Sequence, residues 1–284
     1  MNEKQNGIDA FRREIDDIDD ALLDLLQRRA GLVEKIGSLK ARQSQSVFRP
    51  AREAMLLRTL LNKSNGKLSA RAIVRIWREI IGASIAMQGD LTIACCPFGK
   101  NIINEVLVQE RFGLSANLLS LADPSEVVHS VACRKAKLGL VPFPNNNLTS
   151  PWWMMLKDIN DEDVLRVIAS VPFLLSGQDS KLDALIISLG EAELSGEDET
   201  LLALEFNSDV IIDRAHNAFL SEGLDCVCID SYKDLDKSGS QSYLFKFSGL
   251  IEKNDDRLDR ALSEFSLITV WQVGIYATPY ILKQ

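Results

Sequence analysis

Histidine is nearly missing from this chain of 284 residues, which has only His129 and His216. The five cysteines (Cys95, Cys96, Cys133, Cys226, Cys228) fall at no zinc-finger or zinc-ribbon spacing, so no metal site is expected. An odd cysteine count excludes complete disulfide pairing and fits free thiols in a reducing cytoplasm. No run of about 18 apolar residues occurs, which excludes a transmembrane helix. The opening Met1-Asn2-Glu3-Lys4 offers no apolar signal core, so a cytoplasmic location is expected. Basic runs interleaved with aromatics are lacking too, which argues against a nucleic-acid partner.

Hydrophobic residues make up 46% of the chain and charged residues 25%, enough for two or three domains with cores. The net charge of -8 is unevenly spread. Residues 1–88 hold 16 Lys and Arg against 11 Asp and Glu, whereas the remainder holds 16 against 29. The N-terminal region is therefore the better host for a small anion.

The stretch Ile8–Lys40 organises that region. Its apolar positions, Ile8, Phe11, Ile15, Ile18, Leu22, Leu25, Leu32, Ile36 and Leu39, step by threes and fours. This is the seam of a helix about 50 Å long. Arg29 interrupts the seam, and a guanidinium there needs a negative partner. It is read as half of an anion site. Gly37 is a tolerated weak point in the helix. A polar linker, Arg42–Ser46, precedes a second helix from Pro50 to about Leu61, with Met55, Leu57, Leu60 and Leu61 apolar. Ser69 caps a third helix from Ala70 to about Gln88. Lys40 lies close to three turns after Arg29, and Gln88 one turn after Ser84, so each pair shares a face. Three helices so unequal in length leave the long seam partly bare, and dimerisation by helix packing is expected.

These residues resemble the all-helical (AroQ-type) chorismate mutases, as found in bacterial mutase–prephenate dehydratase fusions. The matching pieces are Arg12, Leu25-Leu26-Gln27-Arg28-Arg29, Gly37-Ser38-Leu39-Lys40, Arg52-Glu53 and Ser84-Ile85-Ala86-Met87-Gln88. The resemblance implies an intertwined homodimer of three-helix chains with no cofactor and no metal. It places Arg29, Lys40, Arg52, Glu53, Ser84 and Gln88 of one subunit, with Arg12 of the other, around chorismate. Arg49 stands at a substrate-binding position where many members have Asp. Chorismate is a dianion, and its rearrangement to prephenate needs neither nucleophile nor proton transfer. The protein must fold the substrate and favour charge on the ether oxygen. Arg12 and Arg29 suit the carboxylates, Lys40 and Gln88 the breaking C–O bond, and Glu53, paired with Arg52, the ring hydroxyl.

The remainder reads as α/β, with strands at Leu91–Cys96, Ala116–Leu121 and Lys137–Phe143. Helices are expected at Asn101–Phe112 and after Asp123-Pro124, with further apolar strands at Val164–Leu175 and Leu182–Leu189. This region resembles a prephenate dehydratase lobe. However, Leu140-Val141-Pro142-Phe143-Pro144-Asn145 has Pro144 where dehydratases carry Glu, and Leu182-Asp183-Ala184 replaces their Thr-Arg-Phe. Trp152-Trp153 is open to two readings, an aromatic pocket or core packing. From Thr200 the order is β-α-β-β-α-β, a ferredoxin-like pattern. It resembles an ACT domain whose effector motifs read Val210-Ile211-Ile212 and Asp230-Ser231-Tyr232-Lys233. The expected division is a helical mutase domain at 1–89, a dehydratase-like α/β module at 90–190 and an ACT-like domain at 198–284. The expected activity is chorismate mutase without dehydratase activity. The alternatives are isochorismate pyruvate lyase and a non-catalytic regulatory subunit.

Overall fold

A computed structural model describes residues 2–41, 47–89, 91–97, 103–113, 116–144, 151–157, 164–177, 181–207, 211–233 and 240–282. The expected linker at 42–46, Asn145 and Val210 lie outside the described residues, as does the side chain of Lys40. Helix α1 spans Asn2–Ala41, α2 Pro50–Lys63 and α3 Ala70–Ala86. Pro50 sits in the first turn of α2, and the Ser69 hydroxyl accepts from the Ala72 N–H at 3.2 Å to cap α3.

The chain divides into two compact units. One comprises residues 1–48 and 83–89, the other 49–82 and 90–284. In the first, all nine seam residues of α1 are exposed, by 48% to 68%.

The second unit is built on one sheet. Its strands are β1 (Thr92–Cys95), β2 (Asn117–Ser120), β3 (Leu138–Pro142), β4 (Leu165–Val171), β6 (Ala184–Leu189), β7 (Asp198–Phe206), β8 (Cys226–Lys233), β9 (Gln241–Ser248) and β10 (Leu267–Ala277). They run in the order β2-β1-β3-β6-β4-β10-β7-β9-β8. Helices α4 (Ile103–Phe112) and α5 (Pro124–Ala132) make the parallel crossovers β1-α4-β2 and β2-α5-β3. Asp123 caps α5 by accepting from the Ser125 and Glu126 N–H groups. Helices α6 (Ile212–Ser221) and α7 (Asp256–Leu262) complete β7-α6-β8-β9-α7-β10, whose strand order is the ferredoxin-like one expected from the sequence. A short pair, β5 (Leu174–Leu175) with β11 (Tyr280–Ile281), lies apart from the main sheet.

Strands β4 and β10 pair in parallel, so the dehydratase-like and ACT-like stretches share one sheet. They also share a core in which Trp152, Trp153, Val167, Leu201, Leu244 and Trp271 pack together. The join depends on Gly274. A Cβ there would stand 2.2 Å from the Val167 carbonyl oxygen and 2.6 Å from its nitrogen. Backbone on both sides leaves no soft neighbour to yield. Gly274→Ala is expected to cost about 2–3 kcal/mol, read as a lower midpoint in urea unfolding. A midpoint equal to the parent's would show that the strands meet less tightly than this.

Helix α2 and most of α3 belong to the sheet-containing unit. On α2 the buried face is Ala51, Glu53, Ala54, Leu57, Arg58 and Leu61, while the apolar Met55 is exposed. Ala54, Leu57 and Leu61 pack with Ile73, Val74, Phe173 and Ala277. Charged groups explain the placement. The Arg58 guanidinium donates to Ser195 Oγ at 3.0 Å, the Glu197 carbonyl at 2.8 Å and the Thr278 carbonyl at 2.7 Å. A buried guanidinium demands such acceptors, and the residues just before β7 and just after β10 supply them.

Candidate functional site

Arg29 projects from α1 and is partly buried. Its Nη1 donates to the hydroxyl of Ser84, a buried residue in the last turn of α3. Burial lowers the pKa of this guanidinium, and no carboxylate among the described residues offsets that. An arginine stays charged under such a shift. What results is a fixed cation, half withdrawn from water, without a counterion among the described residues.

Gln88 completes the cluster. Its Nε2 donates to the Ser84 carbonyl at 2.9 Å, and its Oε1 is buried without a hydrogen-bond partner. Gly37 of α1 lies against this side chain, since a Cβ there would stand 3.0 Å from Gln88 Cγ. The glycine that the sequence presents as a weak point is a point of close approach. Its signal was the choice of Gly over Ala in the interior of an otherwise strong helix. Lys40 follows Gly37 by three residues on α1.

Of the expected site residues, the structure brings Arg29, Ser84 and Gln88 together. The others lie as follows. Arg12 is exposed and pairs with Asp9 of its own helix at 3.2 Å. Arg49 pairs with Glu193 at 2.7 Å, and Arg52 is exposed. Glu53 does not pair with Arg52 as expected. Its carboxylate is buried and bonded to Arg111, with Arg78 Nε at 3.7 Å. Successive helix residues point about 100° apart, so when Arg52 faces solvent Glu53 faces inward. Burial and the neighbouring Arg111 lower the Arg78 pKa to about 10, while Glu53 acts to raise it. Arg78 and Arg111 escaped sequence reading because nothing local links them to Glu53, which lies 58 residues before Arg111.

The aromatic pair is core. Trp152 Nε1 donates to the Pro142 carbonyl at 3.1 Å, and Trp153 Nε1 to Asp230 at 2.9 Å. Trp153 also stacks on Trp271, with centroids 6.1 Å apart. The thiols of Cys96 and Cys226 are pushed up to about 12 by burial, so they stay protonated, and all five cysteines are free. Among the described residues no cluster of His, Cys, Asp and Glu could hold a metal, and no helix is long and apolar enough to cross a membrane.

At the position of the missing Thr-Arg-Phe segment stands Asp183, whose carboxyl pKa is raised, first by burial and then by Glu110. Its backbone bonds Val171 and Phe143. A raised carboxyl pKa means that folding favours the protonated acid, so this contribution is lost as pH rises through the folded pKa. Asp183→Asn is therefore expected to raise the melting temperature at pH 7 and to leave it unchanged near pH 3. The check is a set of melts across that range, and an equal effect at both ends would exclude the electrostatic cause.

A long helix thus holds a guanidinium against a serine hydroxyl, one turn from a carboxamide, with no carboxylate beside it among the described residues. Residues 11–89 match the family profile described as chorismate mutase type II, and the N-terminal region carries that domain. The bifunctional chorismate mutase/prephenate dehydratase of Aquifex aeolicus is 31% identical over 139 residues, 48% of this chain and 38% of that protein. The protein of the same description from Pseudomonas aeruginosa is 27% identical over 148 residues, 50% of this chain and 40% of its own. The chain thus spans about two fifths of the length of these relatives. Among solved structures, prephenate dehydratase from Streptococcus mutans superposes with a TM-score of 0.48 at 18% identity, over 68% of this chain and 100% of that one.

Proposed function

We propose that the protein is a chorismate mutase that rearranges chorismate to prephenate and does not dehydrate the product. One observation carries the reading: the partly buried Arg29, without a carboxylate partner among the described residues, donating to Ser84 one turn from Gln88. A carboxylate of the substrate supplies the missing negative charge, bound by the guanidinium fork with the Ser84 hydroxyl beside it. The Gln88 amide and Lys40 act as donors to the ether oxygen, where negative charge develops as the C–O bond breaks. The relatives from Aquifex aeolicus and Pseudomonas aeruginosa are named for the same mutase activity. Loss of the dehydratase step is supported by Pro144 and Asp183 at positions where the dehydratases carry Glu and their Thr-Arg-Phe segment.

The test is chorismate consumption by purified protein with the products separated. Prephenate without phenylpyruvate is expected. Phenylpyruvate would restore the dehydratase, and pyruvate released from isochorismate offered in parallel would favour the lyase. No consumption of either compound would leave a regulatory subunit.

The working form is proposed to be a cytoplasmic homodimer in which a second copy covers the apolar stripe of α1 and brings its Arg12 to the site. Leu25 and Leu32 are both more than half exposed in the single chain. Leu25→Asp with Leu32→Asp is expected to halve the mass measured by light scattering and to abolish turnover. A variant that stays dimeric and active would place the interface elsewhere.

A further inference from the structure

A second arginine cluster lies within the sheet-containing unit. Arg71, Arg75 and Arg78 recur at three- and four-residue steps along α3 and line a cleft of about 600 Å³. That volume suits a small organic molecule rather than a few waters. Like charges on successive turns repel unless something negative meets them. Arg71 donates to a neutral hydroxyl, Ser176 Oγ. Arg75 is exposed and has no ion-pair partner among the described residues. Arg78 is 7% exposed, and its Nε has no hydrogen-bond partner; Glu53 stands 3.7 Å away.

Two acids also line the cleft. Glu79 directs its carboxylate toward Gly113 at the end of α4, and Glu110 accepts from Arg78 through its backbone carbonyl at 3.4 Å. Three cations against two anions leave the lining net positive. The rest of the wall is apolar, with Val74, Val106, Phe173 and Leu174. A bare inorganic ion would satisfy the arginines and leave that wall wet.

We propose that this cleft binds a small monoanionic carboxylate with an apolar body, the carboxylate on the α3 arginines and the body against Phe173 and Leu174. Guanidinium forks match a planar carboxylate, and partial enclosure weakens screening by salt.

The probe is 3-phenylpropionate, titrated into the full-length protein by calorimetry, with propionate and 3-phenylpropan-1-ol as controls for body and charge. One saturable site is expected, with both controls at least about tenfold weaker. Arg75→Ala and Arg71→Ala are each expected to weaken binding by about tenfold at unchanged melting temperature, since both side chains are exposed. Arg29→Ala is expected to leave it unaltered, which separates this cleft from the proposed mutase site. The proposal is overturned if the alcohol binds as well as the acid. It is overturned equally by no saturable binding at millimolar probe, or by binding that Arg29→Ala removes and the α3 variants do not.

Discussion

Arg29→Ala is expected to lower kcat/KM for chorismate rearrangement by about 10²–10³-fold, the usual cost of losing one preorganised charge donor. The loss should fall without unfolding. Arg29 is only partly buried, its bond to Ser84 links α1 to the last turn of α3, and Ala is the strongest helix former. Removing this cation also relieves the desolvation that lowers its pKa. Arg29→Lys keeps the charge but not the fork and should fall between the two. Steady-state kinetics alongside a thermal melt is the measurement. A kcat/KM within about threefold of the parent, well under the cost of one lost donor, would remove Arg29 from the chemistry and with it the proposed site.

Glu53→Gln is expected to cost about 3–5 kcal/mol of stability, because it removes the negative charge that two buried guanidinium groups share. Arg111 and Arg78 both lie at that carboxylate, and burial and Arg111 already lower the Arg78 pKa, against which Glu53 acts. In this reading any lost activity follows lost fold, and urea unfolding should show a much lower midpoint. Replacing the whole cluster by apolar residues (Glu53→Leu, Arg78→Met, Arg111→Leu) should recover much of the loss, since no charge is then left buried. The opposite pattern is equally clear. A Glu53→Gln protein with the parent's midpoint but little turnover would assign the carboxylate to the ring hydroxyl of the substrate.

Much of the helical architecture was legible in the chain. The three-and-four spacing of α1, Pro50, Ser69 and the Asp123-Pro124 start each announce an element through a local rule. Strands β7 to β10 with α6 and α7 emerged in the expected order because each is a compact apolar run between turns. Arg29 was legible for a different reason: a guanidinium in a seam violates the local pattern, and violations mark sites. Gly37 and Glu53 were misread by the same logic applied too locally. A glycine in a helix looks like a tolerated weakness until a side chain from another helix fills the space. A carboxylate beside an arginine looks like a surface pair until the helix is rotated about its axis.

By itself the sequence determined which segments are helices and strands, where they start, and that a guanidinium interrupts the apolar seam of α1. Those follow from periodicity and capping, which act over a few residues. Only the tertiary structure decided that α2 and most of α3 join the sheet-containing unit, that β4 meets β10 across Gly274 in one nine-stranded sheet, and that Trp153 reaches Asp230 and Trp271. The physical reason is common to all three. Each rests on a buried polar group or a close backbone approach whose partner lies far along the chain. Apolar spacing carries no record of such a partner, because in the sequence Arg58, Arg78 and Glu53 look like any charged residue bound for the surface.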